Sequence, residues 1–128
     1  YPPLRVKQEW VGELESDCDR YLDQLEKLRS FILPGGSAGS AHLHLALTVV
    51  RRAERSVWAA IEEYGTEAGA ERGEGGVNPV TATYLNRLSD LLFVLARHAN
   101  LSVGGDVLWA PGGGREEAPG APGTTSGG

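Results

Sequence analysis

The residues best suited to chemistry in this chain are the charged side chains of RRAER, Arg51–Arg55, which interrupt an otherwise apolar helical segment. Three guanidinium groups and one carboxylate stand between LHLALTVV and SVWAAI, and both of these flanks have the composition of a helix core. Arginine presents a planar fork of donors that matches phosphate or carboxylate oxygens. Glu54 could orient a polar ligand beside them. The segment therefore raises the hypothesis of an anion site along one edge of a helix.

A second polar group lies in TYLNRLSD, where Asn86 and Asp90 are one helical turn apart and Arg87 precedes Asp90 by three residues. Arg51 and Glu54 are also three residues apart. Because residues three or four apart lie on one face of a helix, the members of each pair point in the same direction. Two such helices packed together would present these side chains near a shared groove. The pattern fits interhelical salt bridges with an asparagine that fixes register, and it also fits an anion site. Spacing alone leaves both interpretations open.

Three helices are predicted to carry these residues. Apolar residues at three- and four-residue spacing, together with Gly, Pro and Ser signals, indicate their limits. The predicted helices run over about residues 6–25, from Ser37 or Ser40 to Tyr64, and from Asn78–Pro79 to about Asn100. The fold class is therefore all-α, a helical bundle.

The connections between the helices are recognised by their composition. LPGGSAGS separates the first two helices and supplies a serine that can cap the second. GTEAGAERGEGGV has almost nothing to bury, which predicts a mobile surface loop before the third helix. VLWAP predicts a short ordered segment after it, in which Trp109 fits packing on the bundle or a place beside a ligand. The bundle is expected to occupy residues 1–110 and a disordered Gly/Pro-rich tail residues 111–128.

Apolar seams predict how the second and third helices pack. On the second helix the seam consists of Leu43, Ala46, Val50, Ala53, Val57 and Ala60. Beside it runs a mixed stripe of His44, Leu47, Arg51, Glu54 and Trp58. The third helix has a seam of Thr81, Leu85, Leu88, Leu92, Leu95 and Ala99. This arrangement predicts that Arg51 and Glu54 lie at the edge of the core.

Composition limits the classes of partner. The chain has 128 residues, with 17 acidic against 12 basic and a net charge of -5, which argues against a nucleic-acid surface. Cys18 is the only cysteine in the sequence, which excludes an internal disulfide and fits a cytoplasmic setting. No apolar run approaches the roughly 20 residues of a membrane span. His42 and His44 diverge on a helix and, like His98, favour packing or surface roles, so no metal ligand is assigned.

The blocks FILPGGSAGSAHLHLALTVVRRAER and YLNRLSDLLFVLARHAN resemble the PduO-type ATP:cob(I)alamin adenosyltransferases. The resemblance covers about residues 30–100 and rests on the combination of FILPGG, RRAER and LNRLSD. It implies a five-helix bundle, of which this chain would hold three helices, assembled as a trimer with active sites at subunit interfaces. It also implies a reaction in which cob(I)alamin attacks the 5′ carbon of ATP, adenosylcobalamin forms and triphosphate leaves.

The resemblance further implies cofactors, partners and site residues. Mg²⁺ would help to neutralise the phosphates, and a flavin-type reductase and a B12-dependent mutase would be partners. Arg51 would contact the triphosphate as a catalytic residue, and Asn86 would also bind ATP. Arg52, Glu54 and Arg55 would line the nucleotide site, although Arg52 and Arg55 fit solvated or subunit-bridging roles equally well.

Phe31 is the second position to which the resemblance gives a catalytic role. Judged by its sequence context alone, it is typical of a core aromatic that precedes a turn. The resemblance implies instead that it binds the corrinoid from below and displaces the lower ligand, which leaves the cobalt four-coordinate. Removal of an axial donor lowers the energy of the orbital that accepts the electron, so reduction to Co(I) becomes feasible.

Two features depart from the family pattern. The Thr- and Gly-rich loop T-[RK]-x-G-D-x-G-x-T, which wraps the triphosphate in the family, has no counterpart here, so we expect a fragment or shortened form with little catalysis alone. Leu47 stands where the family usually has an arginine that bridges subunits through a carboxylate of the N-terminal half. Leucine is the sensible occupant if that carboxylate is missing too. The alternative function is therefore a non-catalytic helical scaffold that oligomerises or binds corrinoid.

Overall fold

The computed structural model describes residues 4–28, 30–69 and 74–109. Within these ranges lie three α-helices and one short 3-10 helix. They are α1 (Gln8–Leu22), α2 (Ala38–Tyr64), α3 (Val80–Ala99) and the 3-10 helix Leu101–Val103. α1 and α2 both pack against α3 rather than against each other, so α3 is the central helix. The predicted all-α bundle with three helices is confirmed.

The sequence also predicts a tail after the bundle and the absence of a membrane span. The tail over residues 111–128 lies outside the described residues, so the division into bundle and tail stays a prediction. In the part of the chain that the structure describes, no helix is long and apolar enough to cross a membrane.

The helix limits agree with the sequence pattern except at the end of α1. The second helix begins as predicted, because Ser37 is extended and its Oγ accepts a hydrogen bond from the Ser40 N–H at 3.1 Å. α1 ends at Leu22 rather than near residue 25. Beyond that point, the N–H of Gln24 bonds to the oxygen of Tyr21, three residues back. The chain tightens into successive turns there, which ends the α-helix.

The core lies along lines that differ from the predicted seams. On α2 the buried residues are Ser40, His44 and Leu47, and the six predicted seam residues are only half-buried. On α3 the buried residues include Ala82, Ser89 and Ala96, which recur every seven residues. These small side chains allow a neighbouring helix to approach closely. The seam on α3 was wrong because a helix between two neighbours buries two lines, not one.

Buried Asn100 fixes the loop between α1 and α2 to the end of α3. Its Oδ1 accepts the Ser37 N–H at 2.8 Å and the Ser37 hydroxyl at 3.1 Å, and its Nδ2 donates to the Gly35 oxygen at 2.8 Å. Gly36 has φ of 102°, and a Cβ there would collide with the Asn100 side chain. Gly36 is therefore required by a close approach as well as by its positive φ.

The described parts of the segment between α2 and α3, residues 65–69 and 74–79, have more backbone order than their composition indicates, whereas residues 70–73 lie outside the described residues. Val77 donates its N–H to the Gly65 oxygen at 2.8 Å, and Gly76 donates to the Glu67 oxygen at 2.7 Å. Ala68 and Gly75 form an antiparallel bridge. A Cβ on Gly76 would collide with the Gly65 oxygen, so glycine permits this approach. The exposed position agrees with a surface loop, whereas the backbone ladder was not predicted.

His44 is a buried histidine at the contact between α2 and α3. Its side chain is 8% exposed, and its ring packs edge-on against Phe93 with centroids 6.4 Å apart. Its Nε2 has no hydrogen-bond partner among the described residues. Burial lowers the pKa of His44, nearby Arg51 lowers it further, and Asp106 opposes them. The imidazole is therefore neutral at neutral pH.

Asn100→Ala should lower the free energy of unfolding by roughly 2–4 kcal/mol, because it leaves the Ser37 N–H and the Gly35 oxygen without their partner. Denaturant unfolding measures the loss. Ser102→Ala is the matched control, since its hydroxyl makes one exposed bond to the Ala99 oxygen and its removal should cost about 0.5 kcal/mol or less. Equal stability of the two variants would contradict the anchoring role of Asn100.

Acidification should destabilise the fold through His44. In the unfolded chain His44 binds a proton near its ordinary pKa of 6.5, whereas in the folded chain its pKa is lower and protonation requires a more acidic solution. The stability that neutral His44 contributes is therefore fully present above about pH 6.5. It is lost as the pH falls toward the lower pKa of the folded state, by at most about 1.4 kcal/mol per pH unit. Urea unfolding at several pH values should show a smaller acid loss in His44→Leu than in the parent chain. Parallel pH profiles would exclude this role.

Candidate functional site

The arginines of the charged segment on α2 point outward. Arg51, Arg52 and Arg55 are all exposed. Within residues 4–28, 30–69 and 74–109, their guanidinium groups form none of the ion pairs, which involve Arg20, Arg87 and Arg97 instead. The interpretation of these arginines as interhelical salt bridges is therefore not realised in the described part of the chain. Their donors are available to an anion.

Glu54 lies on the inner edge of the same segment and is half-buried. Its Oε2 accepts a hydrogen bond from Trp58 Nε1 at 3.2 Å and a longer one from Asn86 Nδ2 at 3.4 Å. The second bond joins α2 to α3. The prediction that Glu54 and Asn86 face a shared groove is thus confirmed. The hydrogen bond of Asn86 across the two helices also agrees with the interpretation of an asparagine that fixes their register.

Arg87 extends this contact from α3 to α1. Its Nη1 donates to Asn86 Oδ1, and its Nε donates to Glu15 Oε2 on α1 at 2.8 Å. The bond with Glu15 also raises the pKa of Arg87. Because the amide of Asn86 meets a cation at its oxygen and a carboxylate at its nitrogen, only one orientation satisfies both neighbours. A polar chain from Trp58 to Glu15 therefore crosses all three helices and fixes the Asn86 amide.

Asp90 does not join the groove between α2 and α3, contrary to the expectation from its spacing. It lines a cavity of about 350 Å³ on the α1 side, together with Glu15, Cys18, Asp19 and Arg87. Adjacent positions on the central helix face different neighbours, which separates Asp90 from Asn86. Cys18 is half-buried, and burial, followed by Asp90 and Asp19, raises the pKa of its thiol.

Phe31 is exposed, so the interpretation as an ordinary core aromatic is wrong. Its side chain is 76% exposed, and its ring meets Trp109 edge-on with centroids 5.9 Å apart. The backbones of the two segments pair through an antiparallel bridge between Ile32 and Leu108. Trp109 donates its N–H to the Phe31 oxygen at 2.7 Å. This pairing, over residues 31–33 and 107–109, is called the aromatic ladder below. It accounts for the first three residues of the ordered segment predicted at VLWAP, whereas residues 110 and 111 lie outside the described residues.

The site residues expected from the sequence thus form two groups. Glu54 and Asn86 lie together beside the arginines, and Phe31 lies in the aromatic ladder before α2. Arg51 follows the first residue of α2 by 13 positions, which is roughly 20 Å along the helix axis. His44 interacts electrostatically with both Arg51 and Asp106, the residue that precedes the ladder's second segment.

Two contacts of this arrangement were not predicted from the sequence. Arg87 was noted only for its spacing to Asp90, although its position next to Asn86 was the available signal. The contact of Trp109 with Phe31 joins residues 78 positions apart, and no local pattern encodes it.

Comparison with known proteins places this geometry in a family. The cobalamin adenosyltransferase family model matches residues 1–99. The corrinoid adenosyltransferase of Mycobacterium tuberculosis H37Rv is 54% identical over 115 residues, which cover 90% of this chain and 54% of the relative. The chain therefore spans about half the length of the curated relatives it matches.

Solved structures show the same fold. A Phe-to-Ala variant of the PduO-type ATP:corrinoid adenosyltransferase from Lactobacillus reuteri, complexed with cobalamin and ATP, is similar with a TM-score of 0.68 and 30% identity. It is matched over 85% of this chain and 54% of that chain. An Arg-to-Lys variant of the L. reuteri enzyme, complexed with ATP, is similar with a TM-score of 0.70 and 32% sequence identity. The match covers 84% of this chain and 57% of that chain. On this evidence the chain belongs to the cobalamin adenosyltransferase family.

Proposed function

We propose that this chain takes part in the transfer of the 5′-deoxyadenosyl group of ATP to cob(I)alamin, which forms adenosylcobalamin and triphosphate. The observation that carries the proposal is the set of three outward arginines without a carboxylate partner in the described residues, beside the fixed Glu54–Asn86 pair. In a chain with a net charge of -5, three neighbouring arginines without an ion pair in the described residues are suited to an anionic ligand.

The nucleotide end of the site is suited to a leaving group whose charge grows. The cobalt–carbon bond forms as the bond between the 5′ carbon and its phosphate oxygen breaks, and triphosphate leaves with the electron pair. Arg51 would stabilise that charge through bidentate contacts to phosphate oxygens. Asn86, held by Arg87 and Glu54, would present its amide without reorganisation.

Magnesium is proposed to arrive with the nucleotide. In the described part of the chain, no three His, Cys, Asp or Glu side chains cluster closely enough to hold a metal ion. Mg²⁺ commonly binds through one or two carboxylates, water and phosphate oxygens, so a cage of protein ligands is not required. Glu54 is the acidic side chain of the arginine segment and is proposed to line the nucleotide site, and no protein ligand is assigned to the metal.

The aromatic ladder is suited to a flat apolar ligand. Phe31 exposes most of its ring, and Trp109 supports one edge of it. A ring placed below the corrin would exclude both water and the lower base from the cobalt. Phe31 would thereby favour the four-coordinate form that is easier to reduce.

Association of several copies would complete the site, and we infer a trimer from the family resemblance. Leu45 and Val49, one turn apart on α2, are 63% and 46% exposed. Exposed apolar side chains at this spacing are typical of a helix that packs against another chain. A site shared between copies would also accommodate the roughly 20 Å along α2 between its first residue and Arg51. The reductase and the mutase stay predictions.

Leu47 supports a second candidate function. It is only 4% exposed, and it occupies the position at which the family resemblance calls for an arginine. A buried leucine stabilises the α2–α3 contact but provides no charge, as expected of a non-catalytic scaffold. Nucleotide binding and turnover distinguish the two functions.

Arg51→Ala should weaken binding of MgATP by about 10- to 100-fold, because a charge-assisted bidentate contact is lost. Calorimetric titration of the chain with MgATP measures the change. Arg20→Ala is the matched control, since it removes the same charge from an exposed pair with Asp17 on α1. Equal weakening by both substitutions would show a general charge effect, and no binding by the parent chain would favour the scaffold.

Phe31→Ala should retain the fold and the affinity for MgATP, since the side chain is exposed, but lower turnover of cob(II)alamin with reductant by about tenfold or more. Its physical reason is the renewed access of water or base to the cobalt. The formation of adenosylcobalamin, followed by absorbance, measures the rate. Tyr64→Ala removes an aromatic that is 66% exposed at the far end of α2 and should leave the rate unchanged. Unchanged turnover in Phe31→Ala would refute the proposed role.

A further inference from the structure

We infer that Arg97 is a positioning residue that holds the aromatic ladder in place and thereby sets the affinity for corrinoid without touching it. The link to corrinoid rests on the proposed function, whereas the mechanical link between Arg97 and the ladder stands on the contacts alone.

Arg97 is a buried arginine in the last turn of α3, with 4% of its surface exposed. Its Nε lies 3.2 and 3.1 Å from the two carboxylate oxygens of Asp106. Its Nη2 donates to the backbone oxygen of Glu26 at 2.6 Å. The guanidinium therefore has two bonded neighbours from two different parts of the chain.

These two neighbours lie on the chain segments that lead into the ladder. Glu26 stands between α1 and Phe31, and Asp106 directly precedes residues 107–109. Arg97 thus bonds to both segments before they pair. Because α3 is the central helix, the guanidinium connects the ladder to the most constrained element of the fold.

Besides Arg97, the Ser30 hydroxyl holds the ladder by donating to the Trp109 oxygen at 3.2 Å, and Asn100 bonds to Gly35 and Gly105 on its two flanks. The ladder's backbone bonds run from the Leu33 N–H to the Val107 oxygen and from the Trp109 N–H to the Phe31 oxygen. An isolated two-stranded pairing of this length is at best marginally stable in water. Beneath it lies a cavity of about 240 Å³, lined by Arg97, Asp106, Leu108 and residues from 24–28 and 101–105. The bonds of Arg97 to Glu26 and Asp106 lie at the wall of this open cavity and connect the segments that precede the ladder to α3.

Arginine is required here for its geometry. Its Nε donates to the two oxygens of the Asp106 carboxylate, while its Nη2 donates to the Glu26 oxygen. A lysine ammonium has its donors on a single nitrogen and does not reproduce two donor nitrogens at separate, fixed positions. Loss of the carboxylate would leave the guanidinium buried without a counter-charge, so the segment at Asp106 should move away.

The test uses Asp106→Asn and Arg97→Lys in the full chain, with Asp17→Asn as a control that removes an exposed ion pair on α1. Hydrogen exchange followed by NMR should show the Leu33 and Trp109 amides exchanging at least about tenfold faster in both test variants. The Val57 amide in α2 reports global unfolding and should not change. If the Leu33 and Trp109 amides keep their protection while the fold is intact, Arg97 does not hold the ladder.

Binding measurements then test the consequence for the ligand. The Kd for cob(II)alamin should rise about tenfold in Asp106→Asn and less in Arg97→Lys, whereas the Kd for MgATP should stay the same, since Arg51 lies on α2. A general loss of stability would not separate the two ligands in this way. A looser ladder with unchanged corrinoid affinity would overturn the positioning role and leave the proposed function intact. No corrinoid binding by the parent chain would overturn both, although hydrogen exchange would still decide the mechanical link.

Discussion

The position of α3 between α1 and α2 is the constraint on which the rest of the structure depends. Small residues at Ala82, Ser89 and Ala96 lie buried along it and allow close packing. A helix enclosed in this way has little solvent-facing surface, so its polar residues must find partners on its neighbours. The candidate site is largely a result of how they do so.

Each polar residue of α3 acts according to the direction it faces. Asn86 meets Glu54 on α2, and Arg87, the next residue, meets Glu15 on α1. Toward the C-terminal end, Arg97 reaches Asp106 and Asn100 holds Ser37. The same helix therefore fixes the amide beside the arginines and the start of α2. The hydrogen bonds that satisfy the buried polar residues of α3 therefore also position the residues of the candidate site.

Local features of the fold could be predicted from the sequence. Ser37 caps α2 because its hydroxyl serves a donor only three residues away, and such a bond depends on local spacing alone. The approach of Glu54 to Asn86 could be predicted because polar residues recur at three- and four-residue spacing on both helices. The roles of Phe31, Arg51, Arg52, Arg55 and Asn86 toward ligands rest on family resemblance and stay predictions.

Features that depend on distant partners could not be predicted. An aromatic before a turn has the same local pattern whether it is buried or, like Phe31, 76% exposed. The burial of Arg97 depends on Asp106 and on a loop whose path no periodicity records. The end of α1 at Leu22 was missed because the following residues, Asp23 to Leu25, are compatible with a helix.

The three tryptophans are distributed so that each half of the candidate site contains its own chromophore. The Trp58 indole donates to Glu54, so its emission depends on the electric environment beside the arginines. Trp109 rests against Phe31, where direct contact with a bound ligand would change its emission. Trp10 packs against Tyr84 at the opposite side of α3 and provides an internal reference. Single-tryptophan versions of this chain would therefore resolve optically which half of the site a ligand occupies, and in what order.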